Sequence, residues 1–318
     1  MSWPALIADI GGTNARFAVV EGPGAKPSQA RNLINADYVT LADAIEAYCG
    51  EANVRPARAA IAAAGPQTDG MFRLTNHTQW DVKVANLAGT AGLREAVSLN
   101  DFEALALSLP HLGPADVEAL KPDAKPVAGT PLAVAGPGTG LGLGAVVPTA
   151  SGWQAIPGEG GHVELGHRHL REAAVLDLVR REFGRVSAER VLCGNGLAML
   201  HRLIGELDGE TRDKLTPAQV TEAALAGDKQ AKGTVDVFLN LLGSYAGDAA
   251  LVYGSRGGMF IGGGIITRLL PLLDRLSFLG HFRAKGRLEP YLDAMPLSVI
   301  TNPVPALIGC AAYLENAK

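Results

Sequence analysis

Cysteine is scarce in this chain: three residues, Cys49, Cys193 and Cys310, among 318. They are odd in number, far apart and never in CxxC spacing. That excludes a disulfide framework or a zinc knuckle and fits a reducing compartment. Aromatic residues make up only 5%. No basic tract or aromatic-interleaved basic patch occurs and the formal net charge is −4, so nucleic acid is not an expected partner. No apolar run approaches membrane-spanning length. The N-terminus lacks a basic region, and Pro4 and Asp9 interrupt its apolar stretch, so no signal-like segment is read there. These absences lead to the expectation of a cytoplasmic protein that meets no membrane. The chain also contains no Gly-Lys dipeptide, which removes a Walker A loop, and no HExxH.

What is present is apolar and rich in glycine: 47% hydrophobic residues, 19% charged and 39 glycines. This composition suits a well-cored, loop-rich α/β enzyme, and the length suggests about two domains. The chain is organised around ALIADIGGTNARFAVVEG, Ala5 to Gly22. Two apolar, β-prone runs joined by a Gly-Thr-Asn turn read as a hairpin. A carboxylate at the end of a buried strand, Asp9, is costly to desolvate unless a cation or a donor meets it. Gly11 and Gly12 open their backbone N–H groups to close approach. Thr13 and Asn14 add polar side chains, and Arg16 adds a fixed charge. Two readings stand side by side. One is a phosphate-binding turn with Asp9 near a hydrated Mg²⁺; the other is a plain turn with Asp9 paired to Arg16.

Periodicity predicts helices over 38–53, 102–109, 170–183, 216–226, 229–253, 265–273 and 306–314, and strands over 57–64, 97–99 and 297–301. A helix capped by Asp81 and running to Ala91 is expected, as is a polar-basic surface helix over 278–292. Asn100-Asp101 stands where a strand ends and a helix begins. That is an ordinary N-cap position, and also where α/β sheets place ligands and chemistry. From His111 to Pro131 the composition shifts to Pro, Asp and Lys, which marks a linker and the domain boundary.

A second strand, glycine turn and strand follows in PLAVAGPGTGLGLGAVVPT, Pro131 to Thr149. At an offset of 127, Ile7 falls on Val134, Gly11 on Gly138 and Val20 on Val147. This self-similarity points to a duplicated unit, two turns able to hold a polyphosphate from both sides. The acid occurs only in the first copy, because Gly136 replaces it in the second. Gly140, Gly142 and Ala145 fit GxGxxA, but a strand follows where a dinucleotide site needs a helix, so that reading fails. In PGEGGH, glycines thin the wall around Glu159 and His162. Glu164, His167 and His169 lie nearby, but spacing for a metal is lacking, and His167 and His169 read as surface residues. Gly257 to Gly264 reads as a strand running into a glycine turn that bares backbone to a flat group.

Seven segments carry a resemblance: ADIGGTNARFAVV, TNHT, LNDFEALA, GTGLGLG, PGEGGHVEL, SAERVLCGNGL and GGMFIGGGI. In this order and spacing they resemble the bacterial glucokinase family, hexokinase-type sugar kinases of the actin-like, ribonuclease H-like ATPase superfamily. The resemblance implies an α/β protein of two ribonuclease H-like domains, with ATP and glucose in the cleft between them. The small domain would be residues 1–110 plus 302–318, and the large one 111–301. Asp101 carries over as the general base for the sugar 6-hydroxyl. Asn100, Glu159, His162 and Glu189 carry over as sugar ligands, with Asn76 a further sugar or cleft residue. Asp9, Gly11, Gly12, Thr13 and Asn14 match the first phosphate loop, Thr139 and Gly140 the second, and Gly262, Gly263 and Gly264 the adenosine segment. Mg²⁺ would bridge the terminal phosphates, reached by Asp9 through water. Pro137 departs from the pattern in the second loop. Only Cys193 lies where a repressor-related branch carries its zinc cysteines, so zinc is not expected. A homodimer is the family-level expectation. A kinase for another hexose and a non-catalytic nucleotide or sugar sensor are the alternatives.

Overall fold

The computed structural model describes residues 3–63, 65, 67–68, 71–73, 80–212 and 214–316. In chain order the first elements are β1 (Ala5–Ile10), β2 (Asn14–Val20), β3 (Ser28–Ile34), α1 (Leu41–Ala52), β4 (Arg58–Ala63), the short β5 (Gln67–Thr68), β6 (Met71–Arg73) and β7 (Asp81–Lys83), β8 (Glu95–Asn100) and α2 (Asp101–Ser108). Then come β9 (Val117–Ala119), β10 (Leu132–Pro137), β11 (Leu141–Thr149) and β12 (Gly152–Ile156). The remaining helices and strands are α3 (Leu170–Phe183), α4 (Ala188–Val191), α5 (Gly194–Leu207), α6 (Pro217–Leu225), α7 (Lys229–Tyr253), β13 (Gly258–Ile261), α8 (Gly264–Leu269), α9 (Arg275–Arg283), α10 (Glu289–Asp293), β14 (Leu297–Ile300) and α11 (Pro305–Asn316).

The first sheet has the order β3-β2-β1-β4-β8 and the second β12-β11-β10-β13-β14-β9. In the first, β1 pairs antiparallel with β2 and parallel with β4, and β4 pairs parallel with β8. The second repeats this: β11 pairs antiparallel with β12, and β10–β13 and β13–β14 are parallel. The parallel strands are buried on both faces, which is why β4 reads RAAIAA without alternation. On one face of the first sheet, Leu6, Ala8 and Ile10 meet Leu41, Ile45 and Tyr48 of α1, and the Phe17 and Tyr48 rings stack at 5.3 Å. Thr40 starts α1 with a capping box to Asp43.

The chain forms two compact units: 1–112, 145–157 and 302–318 in the first, 113–144 and 158–301 in the second. The expected boundary left 145–157 with the large domain. Those residues group instead with the first unit, where β12 packs on α2. In the same unit α11 lies so close to α2 that a Cβ on Gly309 would fall 1.7 Å from the Ala104 carbonyl oxygen. The second unit is built around α7, the one helix among the described residues long and apolar enough to cross a membrane. Two-thirds of its apolar window is buried in the protein, the mark of a core helix.

Three element expectations need correction. Asp81 opens no helix: Asp81–Lys83 pairs with β6, and 3₁₀ turns follow at Val84–Leu87 and Thr90–Gly92. The expected linker over 111–131 holds β9, which completes the second sheet against β14. The segment over 278–292 is no surface helix, because it divides between α9 and α10 and buries Phe278, His281, Phe282 and Leu292.

Candidate active site

In the first unit the turn between β1 and β2 is held by residues on both sides. The Gly11 N–H donates to the Asn14 carbonyl at 2.9 Å. Asn35 is fully buried, and its Nδ2 donates to the Gly11 carbonyl at 2.8 Å while its own N–H donates to the Thr13 carbonyl at 2.9 Å. Asn35 is thus the residue that shapes the turn. A single Asn just beyond a polar strand gave no signal of this. Thr13 is exposed, and Asn14 accepts from Asn32 at 3.1 Å. Asp9 pairs with Arg16 at 3.3 Å, its cross-strand partner. Burial pushes the Asp9 carboxyl above its ordinary range, and Arg16 offsets part of that. A charge kept at such cost suits a ligand that brings its own cation.

Asn100 ends β8 and caps α2. Its Oδ1 accepts from Phe102 N at 2.9 Å and Glu103 N at 3.4 Å, and Glu103 accepts back from Asn100 N at 3.3 Å. Its Nδ2 donates to the Gly65 carbonyl at 3.3 Å, and its second amide hydrogen has no partner among the described residues. Asp101 is the first residue of α2, half-buried, with Oδ1 accepting from Phe102 N at 3.0 Å. The N-cap role accounts for Asn100. Asn76 lies outside the described residues.

In the second unit three glycine segments converge. The Gly138 N–H donates to the Gly140 carbonyl at 2.8 Å, and Gly194 N, at the start of α5, donates to the Gly138 carbonyl at 2.9 Å. Gly262 N donates to the Ala135 carbonyl at 2.9 Å. Gly263 has φ +94°, and a Cβ there would meet the Pro137 carbonyl oxygen at 2.5 Å. Pro137 therefore belongs to the wall that demands glycine opposite it. Gly264 opens α8. Glu189, in α4 behind its Ser187 cap, accepts from Leu141 N at 3.0 Å, and a Cβ on Gly140 would lie 2.5 Å from its Oε2. Its other oxygen stands 4.0 Å from His162 Nδ1. His162 is exposed at the end of a 3₁₀ turn fixed by Gly161, where a Cβ would lie 2.1 Å from the Leu141 carbonyl oxygen. Glu159 stands exposed at the head of that turn.

Two cavities of about 260 Å³ open here. The first is lined by Gly138, Thr139, Asn195, Pro217, Ile265 and Arg268. The second is lined by Thr139, His162, Glu189, Arg190, Cys193 and Asn195. Thr139 and Asn195 line both. The first offers apolar side chains, bare backbone and a guanidinium, which suits a flat heterocycle with an anionic tail. The second offers a carboxylate, an imidazole and an amide, which suits a molecule rich in hydroxyls. Asn195, Pro217 and Arg268 were not singled out from sequence. Only Asn195, inside SAERVLCGNGL, carried a signal.

Comparison with known proteins agrees with this chemistry. A family model described as Glucokinase matches residues 6–317. A glucokinase of Chromobacterium violaceum is 42% identical over 322 residues, covering 99% of this chain and 90% of the relative. The crystal structure of a glucokinase from an Antarctic psychrotroph superposes with a TM-score of 0.91 at 34% identity, each chain covered in full. A ROK family glucokinase from Streptomyces griseus, solved with glucose and AMPPNP, shares the fold at a TM-score of 0.64 and 20% identity, with 98% of this chain and 99% of that one covered.

Proposed function

The chain belongs to the glucokinase family, and from that membership we propose that it transfers the terminal phosphoryl group of ATP to the 6-hydroxyl of D-glucose, the entry step of glycolysis. The observation that carries the reading is the pair of cavities sharing Thr139 and Asn195: a nucleotide-like cavity and a hydroxyl-binding cavity with one common wall. Such a wall is where a phosphoryl group passes from one ligand to the other.

In this reading Asp101 accepts the proton of the 6-hydroxyl, a poor nucleophile that needs a positioned base. Glu159, His162 and Glu189 hold the sugar hydroxyls, with Asn100 giving its remaining amide hydrogen. Gly138, Thr139 and Gly140 meet the phosphates, together with the Gly11–Asn14 turn. Gly262, Gly263 and Gly264 bare the backbone beside the adenosine. Glu189 has a double task, because the carboxylate that meets the sugar also fixes Leu141 N. Sugar binding and loop shape are thereby tied to one side chain. Most of the rate comes from alignment and charge neutralisation.

Mg²⁺ fits the hard carboxylate oxygen of Asp9, which would hold it through water, and supplies positive charge at the transferring phosphates. We place the protein in the cytoplasm, in keeping with its three unpaired, buried thiols, and expect a homodimer.

The test is ADP formation from Mg-ATP across a panel of hexoses with a sugar-free blank. Strong turnover with glucose and little in the blank is expected. Preference for another hexose overturns the substrate, and absence of turnover with every sugar overturns the activity.

A further inference from the structure

The second unit contains a group of ligand-bearing side chains that lines neither cavity. His169 stands just before α3, Glu172 lies in the first turn of α3 and His281 lies on α9. Their donor atoms all fall within 4.8 Å of one another. Glu172 and His281 are buried, at 3% and 2% exposure, while His169 is exposed.

The geometry around each buried ligand is already fixed. His281 Nε2 lies 2.9 Å from Glu172 Oε1. That approaches the roughly 3.3 Å separating two donors on a tetrahedral ion with bonds of about 2.0–2.1 Å. His281 Nδ1 donates to the Ser277 carbonyl at 2.9 Å, which leaves Nε2 as the ligating nitrogen. The second oxygen of Glu172 accepts from Arg168 N at 2.7 Å and His169 N at 3.0 Å, which turns Oε1 toward His281. The His169 and His281 rings meet edge-on with centroids 5.1 Å apart, so the third ligand closes the group from the solvent side.

We propose that His169, Glu172 and His281 form a binding site for a zinc-class divalent ion, with water as the fourth ligand. Two imidazoles and one carboxylate match Zn²⁺ or Co²⁺ and not the all-oxygen sets of Mg²⁺ or Ca²⁺. In the metal-free chain the contact between His281 Nε2 and Glu172 Oε1 joins the two buried side chains. The ion takes over that link and ties α3 to α9. It takes no part in phosphoryl transfer.

The test is titration of the chelator-treated chain with Co²⁺ and Zn²⁺, followed by calorimetry and visible absorption. One equivalent of Co²⁺ is expected to bind with the intense d–d absorption of four-coordination, and Zn²⁺ to displace it. His169→Ala, an exposed change that leaves the core intact, weakens affinity at least about tenfold with glucose phosphorylation unchanged. His281→Asn, checked for folding by circular dichroism, does the same. His162→Ala keeps the site. Absence of stoichiometric binding, equal affinity in His169→Ala, or loss in His162→Ala each overturns the proposal; the last assigns the ion to the sugar-side cavity. None of these readouts depends on the kinase assay, so failure of the site and failure of the proposed activity are separate results.

Discussion

The two glycine turns are copies of one design that have parted ways. In the first the order is Gly11, Gly12, Thr13, Asn14; in the second it is Gly138, Thr139, Gly140, Leu141. Threonine and glycine have changed places. The reason is Glu189, whose carboxylate fills the space where a side chain at 140 would go, while Thr13 in the first copy points to solvent. The first turn is braced from its own unit by the buried amide of Asn35. The second is braced by an acid that also faces a ligand cavity. The strand before the first turn keeps a charge, Asp9, where the second has Gly136. One copy keeps a charge at its strand end; the other is held by a carboxylate that lines a cavity.

The comparison makes predictions of decreasing size. Asp101→Ala removes the proposed base from the first unit while both cavities of the second remain. Turnover should fall about 10²- to 10⁴-fold with glucose affinity nearly unchanged, read by steady-state kinetics and calorimetry. Normal turnover would remove Asp101 from the role. Gly140→Ala drives a methyl group into Glu189 and should raise the KM for glucose and for ATP together, whereas Thr13→Gly in the first copy should leave the glucose KM alone. A rise in the ATP KM alone would mean that Glu189 does not link the two ligands. Asn35→Ala leaves the half-buried Gly11 carbonyl without its donor and should cost about 1–3 kcal/mol, measured by urea unfolding.

The smallest effect concerns Asp9. An acid whose folded pKa lies above its unfolded value weakens the fold once ionised. The penalty is complete above the raised pKa and disappears as pH falls toward the ordinary 3.8. Asp9→Asn should therefore be slightly more stable than the parent at neutral pH. That margin should shrink on acidification, and turnover should suffer throughout. A margin that grows in acid would contradict the assigned direction.

Much of this was legible in the sequence where local pattern decides. Both hairpins, the 25-residue α7 and α3 follow from apolar periodicity. Pattern failed where pairing partners are remote. Asp81–Lys83 looks like a helix start until β6 is placed beside it, and Val117–Ala119 looks like a linker until β14 arrives. The site divides the same way. Glu189, His162 and the glycine turns sit in contiguous motifs and could be singled out. Asn35, Pro217, Arg268 and His281 acquire their meaning only from neighbours far away along the chain. No spacing rule reaches them.

The contact between α2 and α11 has a consequence for synthesis. The helix that begins with Asp101 is made early, but the helix packed against it, through the bare backbone of Gly309, is the last element described. α2 therefore waits for α11, across most of the second unit, before this support is in place. Until α11 is made, α2 lacks this partner, and Asp101, the proposed base, stands on a helix without it. A methyl group at Gly309 would press on the Ala104 backbone and loosen the same support.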